Sequence, residues 1–251
     1  MKKIVEISNL SVKYQTPLDE ISAVSNISFD IYENEFVSIV GPSGCGKSTL
    51  LSCIAGLISP TSGSVLINGE PPKTDGSIGY MLQRDTLFGW RNAFKNMRLG
   101  PEITKKGMNE SEIDKLIEKY NLKDFKYKYP DEISGGMRQR VALIRTLALC
   151  PKLLMLDEAF SGLDAQTREN VSEDILAIIK KEKKTANMVT HDITESILMS
   201  DRVVVLTDRP STVKDIIKID LTSDGSAKLK RNAPEFNAYY NLIGEELKQY
   251  E

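Results

Sequence analysis

The sequence predicts an α/β protein built on a parallel sheet, and three observations carry that expectation. Leu153–Leu156, Ala186–Val189 and Val203–Leu206 are short runs that are apolar at almost every position, as parallel strands covered on both faces are. Helical patterns at 165–182 and 192–200 separate them, giving strand–helix alternation. A glycine-rich turn also joins a strand, Val37–Val40, to a helix beginning near Ser48.

The remaining elements follow in order. Residues 4–14 and 21–40 alternate apolar and polar positions, as half-buried strands do. Ser48–Ile58 reads as a helix with Leu50, Leu51, Ile54 and Leu57 on one face. Ser64–Ile67 is a short strand closed by the turn pair Asn68-Gly69. Pro71–Ser77 is a loop, and Ile78–Gln83 another strand. From Asp85 to about Pro151 the pattern becomes helical with charged faces, clearest at Glu112–Tyr120 and Arg138–Leu149. Lys180–Lys184 reads as a solvated helix end, where cations suit the dipole. Thr222–Arg231 reads as a loop and 234–250 as a closing helix.

Composition narrows the function. The 251 residues suffice for a real core without metal or disulfide support. A net charge of −2 argues against a protein coated in nucleic acid. The single histidine, His191, excludes every metal site that needs several histidines. The three cysteines show no metal spacing and fit a reducing compartment. The start lacks the apolar stretch of a signal peptide. No segment approaches the roughly 18 apolar residues of a membrane span. The chain therefore reads as cytoplasmic, so a membrane role requires a partner.

Gly41-Pro42-Ser43-Gly44-Cys45-Gly46-Lys47-Ser48-Thr49 matches G-x-x-x-x-G-K-[ST] between a strand and a helix. Glycines let backbone N–H groups converge on phosphate oxygens, and the helix start adds its dipole. Lys47 would reach the β- and γ-phosphates and the Ser48 hydroxyl would bind Mg²⁺. A glycine-rich turn of no function is the competing reading. The Leu153–Leu156 strand ends in Asp157-Glu158. Ligands sit at the carboxyl ends of such strands. Asp157 is thereby placed for the Mg²⁺ shell, and Glu158 for polarising an attacking water.

At this point the chain resembles the ATPase subunits of ABC transporters. Ile133-Ser134-Gly135-Gly136-Met137 is similar to the family's LSGGQ signature. Gln83 lies where the Q-loop glutamine belongs, and Ser161-Gly162-Leu163-Asp164 resembles the D-loop. His191 follows a strand as the switch histidine does, and Tyr14 lies at the adenine-stacking position. For Tyr14 and His191 a purely structural role is the alternative.

The resemblance implies a P-loop NTPase (RecA-like) core with an antiparallel β-subdomain and an inserted α-helical subdomain. The β-subdomain and core would span about 1–84 and 152–251, and the helical subdomain about 85–151. It implies a head-to-tail homodimer, or a pair of related subunits. Each ATP would lie between the Gly41–Thr49 cradle of one subunit and Ser134, Gly135, Gly136 and Met137 of the other. Glu158 would be the general base or water-orienting group, His191 a γ-phosphate contact, Gln83 a contact to Mg²⁺ and water, and Asp164 an organiser of the opposite site. Met137 departs from the consensus glutamine and leaves only a weak thioether acceptor. Gly135–Arg140 and Gln83–Arg91 resemble the nitrate/sulfonate/taurine importer branch. The implied system has transmembrane permease subunits and a solute-binding protein, with this chain on the cytoplasmic face of the membrane. The resemblance also implies a single cassette without an added regulatory β-domain. Trp90 has two readings: part of the groove for the permease, or packing within the helical region. A soluble non-transport ABC ATPase, such as a cluster-assembly factor, is the alternative function.

Overall fold

A computed structural model describes residues 1–15, 17, 19–83, 86–222 and 227–248. The sequence runs into two sheets. In the first, β1 (Lys3–Gln15) pairs antiparallel with β2 (Glu20–Tyr32) on one side. A later strand, β4 (Ser62–Ile67), pairs antiparallel on its other side. Alternation is the cause. In β1, Val5, Ile7, Leu10 and Val12 turn inward while the residues between them are more exposed.

The second sheet has the order β5-β6-β7-β3-β8-β9. Its strands are β3 (Phe36–Val40), β5 (Ile78–Met81), β6 (Leu153–Asp157), β7 (Thr185–Val189), β8 (Arg202–Leu206) and β9 (Val213–Lys218). All pairings are parallel except β8 with β9. Strands β3, β6 and β7 are buried at every position, as the apolar runs predict. Their side chains divide between two faces. Leu153 and Met155 join Leu50, Leu51 and Ile54 of α1 (Lys47–Ile54) in one cluster. Leu154 and Leu156 join the opposite cluster with Ala142, Ile144 and Ile175.

That second face is covered by helices from two places in the chain. Between β5 and β6 come α2 (Ala93–Met97), α3 (Leu99–Thr104), α4 (Glu110–Lys119) and α5 (Gly135–Leu147). Between β6 and β7 lies α6 (Ala165–Lys181). Asn109 and Glu112 form a reciprocal capping box at the start of α4. The chain continues through α7 (Ile193–Met199), α8 (Ala227–Arg231) and α9 (Pro234–Lys248). No helix among the described residues is long and apolar enough to cross a membrane.

The structure departs from the sequence reading in four places. Helix α1 ends at Ile54, because Gly56 adopts φ +72° and turns the chain out of the helix. Strand β5 stops at Met81, leaving Gln83 beyond the ladder. Of the expected loop at 222–231, residues 223–226 lie outside the described residues and Ala227–Arg231 form α8. Edge strand β9 was not anticipated: only Ile217 in it is buried, so it carries little apolar signal. Arg84 and Asp85 of the Gln83–Arg91 segment lie outside the described residues, as do residues 249 and 250 of the closing helix.

One core position works against stability. Asn187, at the centre of β7, is fully buried, and neither its Oδ1 nor its Nδ2 has a hydrogen-bond partner. A buried unsatisfied polar group is destabilising, whereas an apolar group of like shape removes the desolvation penalty. Asn187→Leu should therefore stabilise the fold by about 1 kcal/mol, or roughly 2–4 °C in Tm for a chain of this size. A thermal melt checks this. A lower Tm would show that the amide is satisfied in solution.

Candidate functional site

The parallel strands deliver their carboxyl ends to one edge, and the polar residues collect there. Strand β3 ends at Val40 and the chain turns through Gly41–Gly46 into α1. Gly46 is the N-cap, at φ 114°, and offers the helix no side-chain cap. A Cβ there would come within 2.9 Å of the Ala23 carbonyl oxygen and Val24 Cγ1. Glycine is thus required both by conformation and by space. The result is a helix start without a capping side chain, the geometry that receives anions.

Lys47 is buried, and its ammonium donates to the carbonyl oxygens of Gly41 at 2.8 Å and Pro42 at 2.7 Å. It therefore lies back along the loop, inside the curve of its backbone. Ser43 and Gly44 are the exposed residues of that loop. Cys45 is fully buried, and burial raises its thiol pKa, opposed by the nearby Lys47 charge. It remains a protonated packing residue. Thr49 Oγ1 lies 3.2 Å from the Tyr14 hydroxyl, which brings a partly exposed ring from β1 to the first turn of α1.

Strand β6 supplies the acids. Ser48 Oγ donates to Asp157 Oδ1 at 3.1 Å, and the Tyr80 hydroxyl donates to Asp157 Oδ2 at 3.1 Å. Burial raises the Asp157 pKa, the two hydroxyl bonds lower it, and neighbouring Glu158 raises it. Glu158 has φ 45°, a left-handed backbone that costs a non-glycine residue about 1–2 kcal/mol. Surrounding bonds hold it there. Its N–H donates to the Val189 carbonyl at 2.9 Å, and its own carbonyl accepts from Ser161 N–H and Oγ. Strain held in place this way is characteristic of functional positions.

The Glu158 side chain gathers two of the residues expected beside it. Gln83 Nε2 donates to its Oε2 at 3.1 Å, and His191 Nδ1 lies 3.3 Å from the same oxygen. His191 follows β7 and is anchored by its neighbours. The Thr190 hydroxyl bonds Glu195, and Asp192 caps α7 by accepting the Glu195 N–H. Ser48, Asp157, Glu158, Gln83 and His191 thus form one connected group.

The signature residues and Asp164 form a second group, around the contact of α5 with α6. Ser134 is the N-cap of α5, its hydroxyl accepting the Met137 N–H at 3.3 Å. A Cβ on Gly136 would meet Thr167 Cγ2 at 2.9 Å, so the two helices approach closely there. A Cβ on Gly135 would meet Leu163 at 3.2 Å. Met137 packs against the apolar cluster of the helical layer, which accounts for a thioether at that position. Asp164 caps α6 by accepting the Thr167 N–H at 3.0 Å, and that hydrogen bond lowers its pKa.

Sequence reasoning missed Tyr80. Its partner Asp157 is 77 positions distant, and a tyrosine in a short strand carries no motif.

Comparison with known proteins bears on the fold and the family. The sequence model described as ABC transporter matches residues 24–161. The uncharacterized ABC transporter ATP-binding protein MJ0412 of Methanocaldococcus jannaschii is 45% identical, over 88% of this chain and 84% of its own. The taurine import ATP-binding protein TauB of Roseobacter denitrificans is 36% identical, over 92% of this chain and 89% of its own. The nitrate transport protein NasD of Klebsiella oxytoca is 38% identical, over 88% and 87%. Among solved structures, the dimeric bacterial ABC transporter cassette MJ0796 matches with a TM-score of 0.75 and 29% identity, over 86% of this chain and 99% of that one. A post-hydrolysis state of that cassette, bound to ADP and Pi, matches with a TM-score of 0.74. The family match and these relatives, each spanning most of the chain, establish that it belongs to the ABC transporter family as an ATP-binding subunit that hydrolyses ATP.

Proposed function

We propose that this chain powers an importer for a small solute of the sulfonate, taurine, nitrate or vitamin-precursor type. The observation that carries the chemistry is the connected group around Glu158: a carboxylate at a strand end, held by Gln83 and His191, beside the Ser48–Asp157 pair. The import reading rests on the named taurine and nitrate relatives.

In this reading the Gly41–Thr49 loop wraps the phosphates of ATP, and Lys47 neutralises the β and γ oxygens. Ser48 and Asp157 are two hard oxygen donors 3.1 Å apart, a set that suits Mg²⁺ bound chiefly to phosphates and water. When bound, Mg²⁺ offsets charge on the β- and γ-phosphates. Glu158 accepts a proton from the attacking water, which adds to the γ-phosphorus as the bridging oxygen leaves with ADP. Gln83 orients Glu158 and would contact Mg²⁺ and its water when the ion is bound, and His191 turns from Glu158 to the γ-phosphate. Tyr14 stacks on adenine. Ser134, Gly135, Gly136 and Met137, with Asp164, belong to the site of a second copy. The dimeric MJ0796 cassette supports that arrangement.

The helical segment of about 85–151 serves as the subdomain that meets the permease. Phe88 and Trp90 are stacked at 4.7 Å, and Trp90 is 75% exposed. Arg91 ties this turn to α3 through Glu102 at 2.9 Å, and Arg145 of α5 holds the Thr86 carbonyl at 2.9 Å. Between α3, α5 and β5 lies a groove of about 270 Å³ edged by Leu99, Ile103 and Leu149. A permease helix seated there would place the chain on the cytoplasmic face of the membrane, with a solute-binding protein completing the system.

Affinity purification of the tagged chain from its own membranes tests the importer reading. A multi-spanning permease should co-purify, and Trp90→Ala should reduce its recovery several-fold without loss of ATP binding. Recovery of soluble partners alone would replace import with a soluble ABC ATPase function.

A further inference from the structure

We infer that Tyr80 is a positioning residue for Mg²⁺, acting through Asp157. This rests on the reading of Ser48 and Asp157 as the metal pair. Both oxygens of the buried Asp157 carboxylate receive a hydroxyl proton: Oδ1 from Ser48 and Oδ2 from Tyr80, each at 3.1 Å. A carboxylate offers about four lone-pair sites, so these two bonds orient it and still leave acceptor capacity. A single bond to Ser48 would leave the carboxylate plane free to swing. The second bond fixes it.

Helix α1 thus holds Asp157 through Ser48, and strand β5 holds it through Tyr80. The register β5–β6 pairs Tyr80 with Met155, which sets the ring alongside the end of β6. The chain continues past the end of β5 to Gln83, so one short segment contacts both Asp157 and Glu158.

The competing role is packing, because the Tyr80 ring also lies against the apolar cluster under α1. Tyr80→Phe separates the two, since it keeps the ring and removes only the hydroxyl. The readout is equilibrium binding of a fluorescent ATP analogue, titrated with Mg²⁺ in a Glu158→Gln background so that turnover does not intervene. Removing one ordinary hydrogen bond should raise the Mg²⁺ midpoint about fivefold. Binding in EDTA should stay within twofold of the parent. Asp157→Asn is the control for the metal pair and should shift it tenfold or more. If Asp157→Asn shifts the midpoint and Tyr80→Phe does not, Tyr80 only packs and the inference fails alone. If Asp157→Asn has no effect, the metal-pair reading fails and the inference goes with it. Equal loss of binding with and without Mg²⁺ in Tyr80→Phe would mean general damage to the site, and would also overturn it.

Discussion

Glu158→Gln is expected to lower ATP turnover about 10²–10⁴-fold, the usual contribution of a positioned general base, while ATP still binds. The substitution is close to isosteric. Its carbonyl oxygen can still accept the Gln83 amide, which now donates to Glu158 Oε2 at 3.1 Å. The backbone bonds that hold φ at 45° run through the main chain, to Val189 and Ser161, and are untouched. What disappears is the ability to take a proton. Binding and hydrolysis should therefore separate. Single-turnover phosphate release should be slow, and the variant should accumulate as an ATP-bound dimer on size exclusion with ATP and Mg²⁺. Turnover close to the parent would remove Glu158 from the mechanism, and the connected group around it would need another base.

The elements and residues legible in the sequence are those whose cause is local. The Gly41–Thr49 loop is a local pattern, and Gly46 at φ 114° meets a local demand. The parallel strands were readable because burial on two faces removes alternation, as β3, β6 and β7 show. Asp157 and Glu158 were readable because they end such a strand. Gln83, His191 and Tyr14 are single residues after or within strands. Only resemblance to a family singled them out, and the structure adds their contacts to Glu158 and Thr49. Tyr80 had neither local pattern nor resemblance to mark it. Its meaning comes from the pairing of β5 with β6, and such pairings across long separations leave no imprint on neighbouring residues. Edge strand β9 and short α8 were missed for a related reason. In β9 only Ile217 is buried, and α8 is five residues long, too short to display a helical period. Met137 shows how a departure from a motif can have a packing cause, since its half-buried side chain on α5 packs against the apolar cluster.

Lys47→Ala is expected to weaken nucleotide binding itself, which distinguishes it from the Glu158 variant. An ammonium has three donors. Two already hold the Gly41 and Pro42 carbonyls at 2.8 and 2.7 Å, curving the loop around the side chain. The third is left for phosphate oxygen. Alanine removes the internal tie and the charge together, at a position only 6% exposed, where solvent screens little. Hydrogen bonds to charged groups contribute about 1.5–3 kcal/mol, so ATP affinity should fall at least tenfold and up to about 150-fold. Thermal melting reads this without any need for turnover. A ligand at 100 times its Kd stabilises the parent by about 2.7 kcal/mol, roughly 5–10 °C for a chain of this size. At the same ATP concentration a hundredfold weaker variant would gain about 0.4 kcal/mol, a shift of 1–2 °C at most. The cause must be the site rather than the fold, so the variant without ATP should keep a cooperative melt. A full ATP-induced shift in Lys47→Ala would place phosphate recognition in the loop backbone and the α1 helix start alone, with Lys47 reduced to a clasp on Gly41 and Pro42.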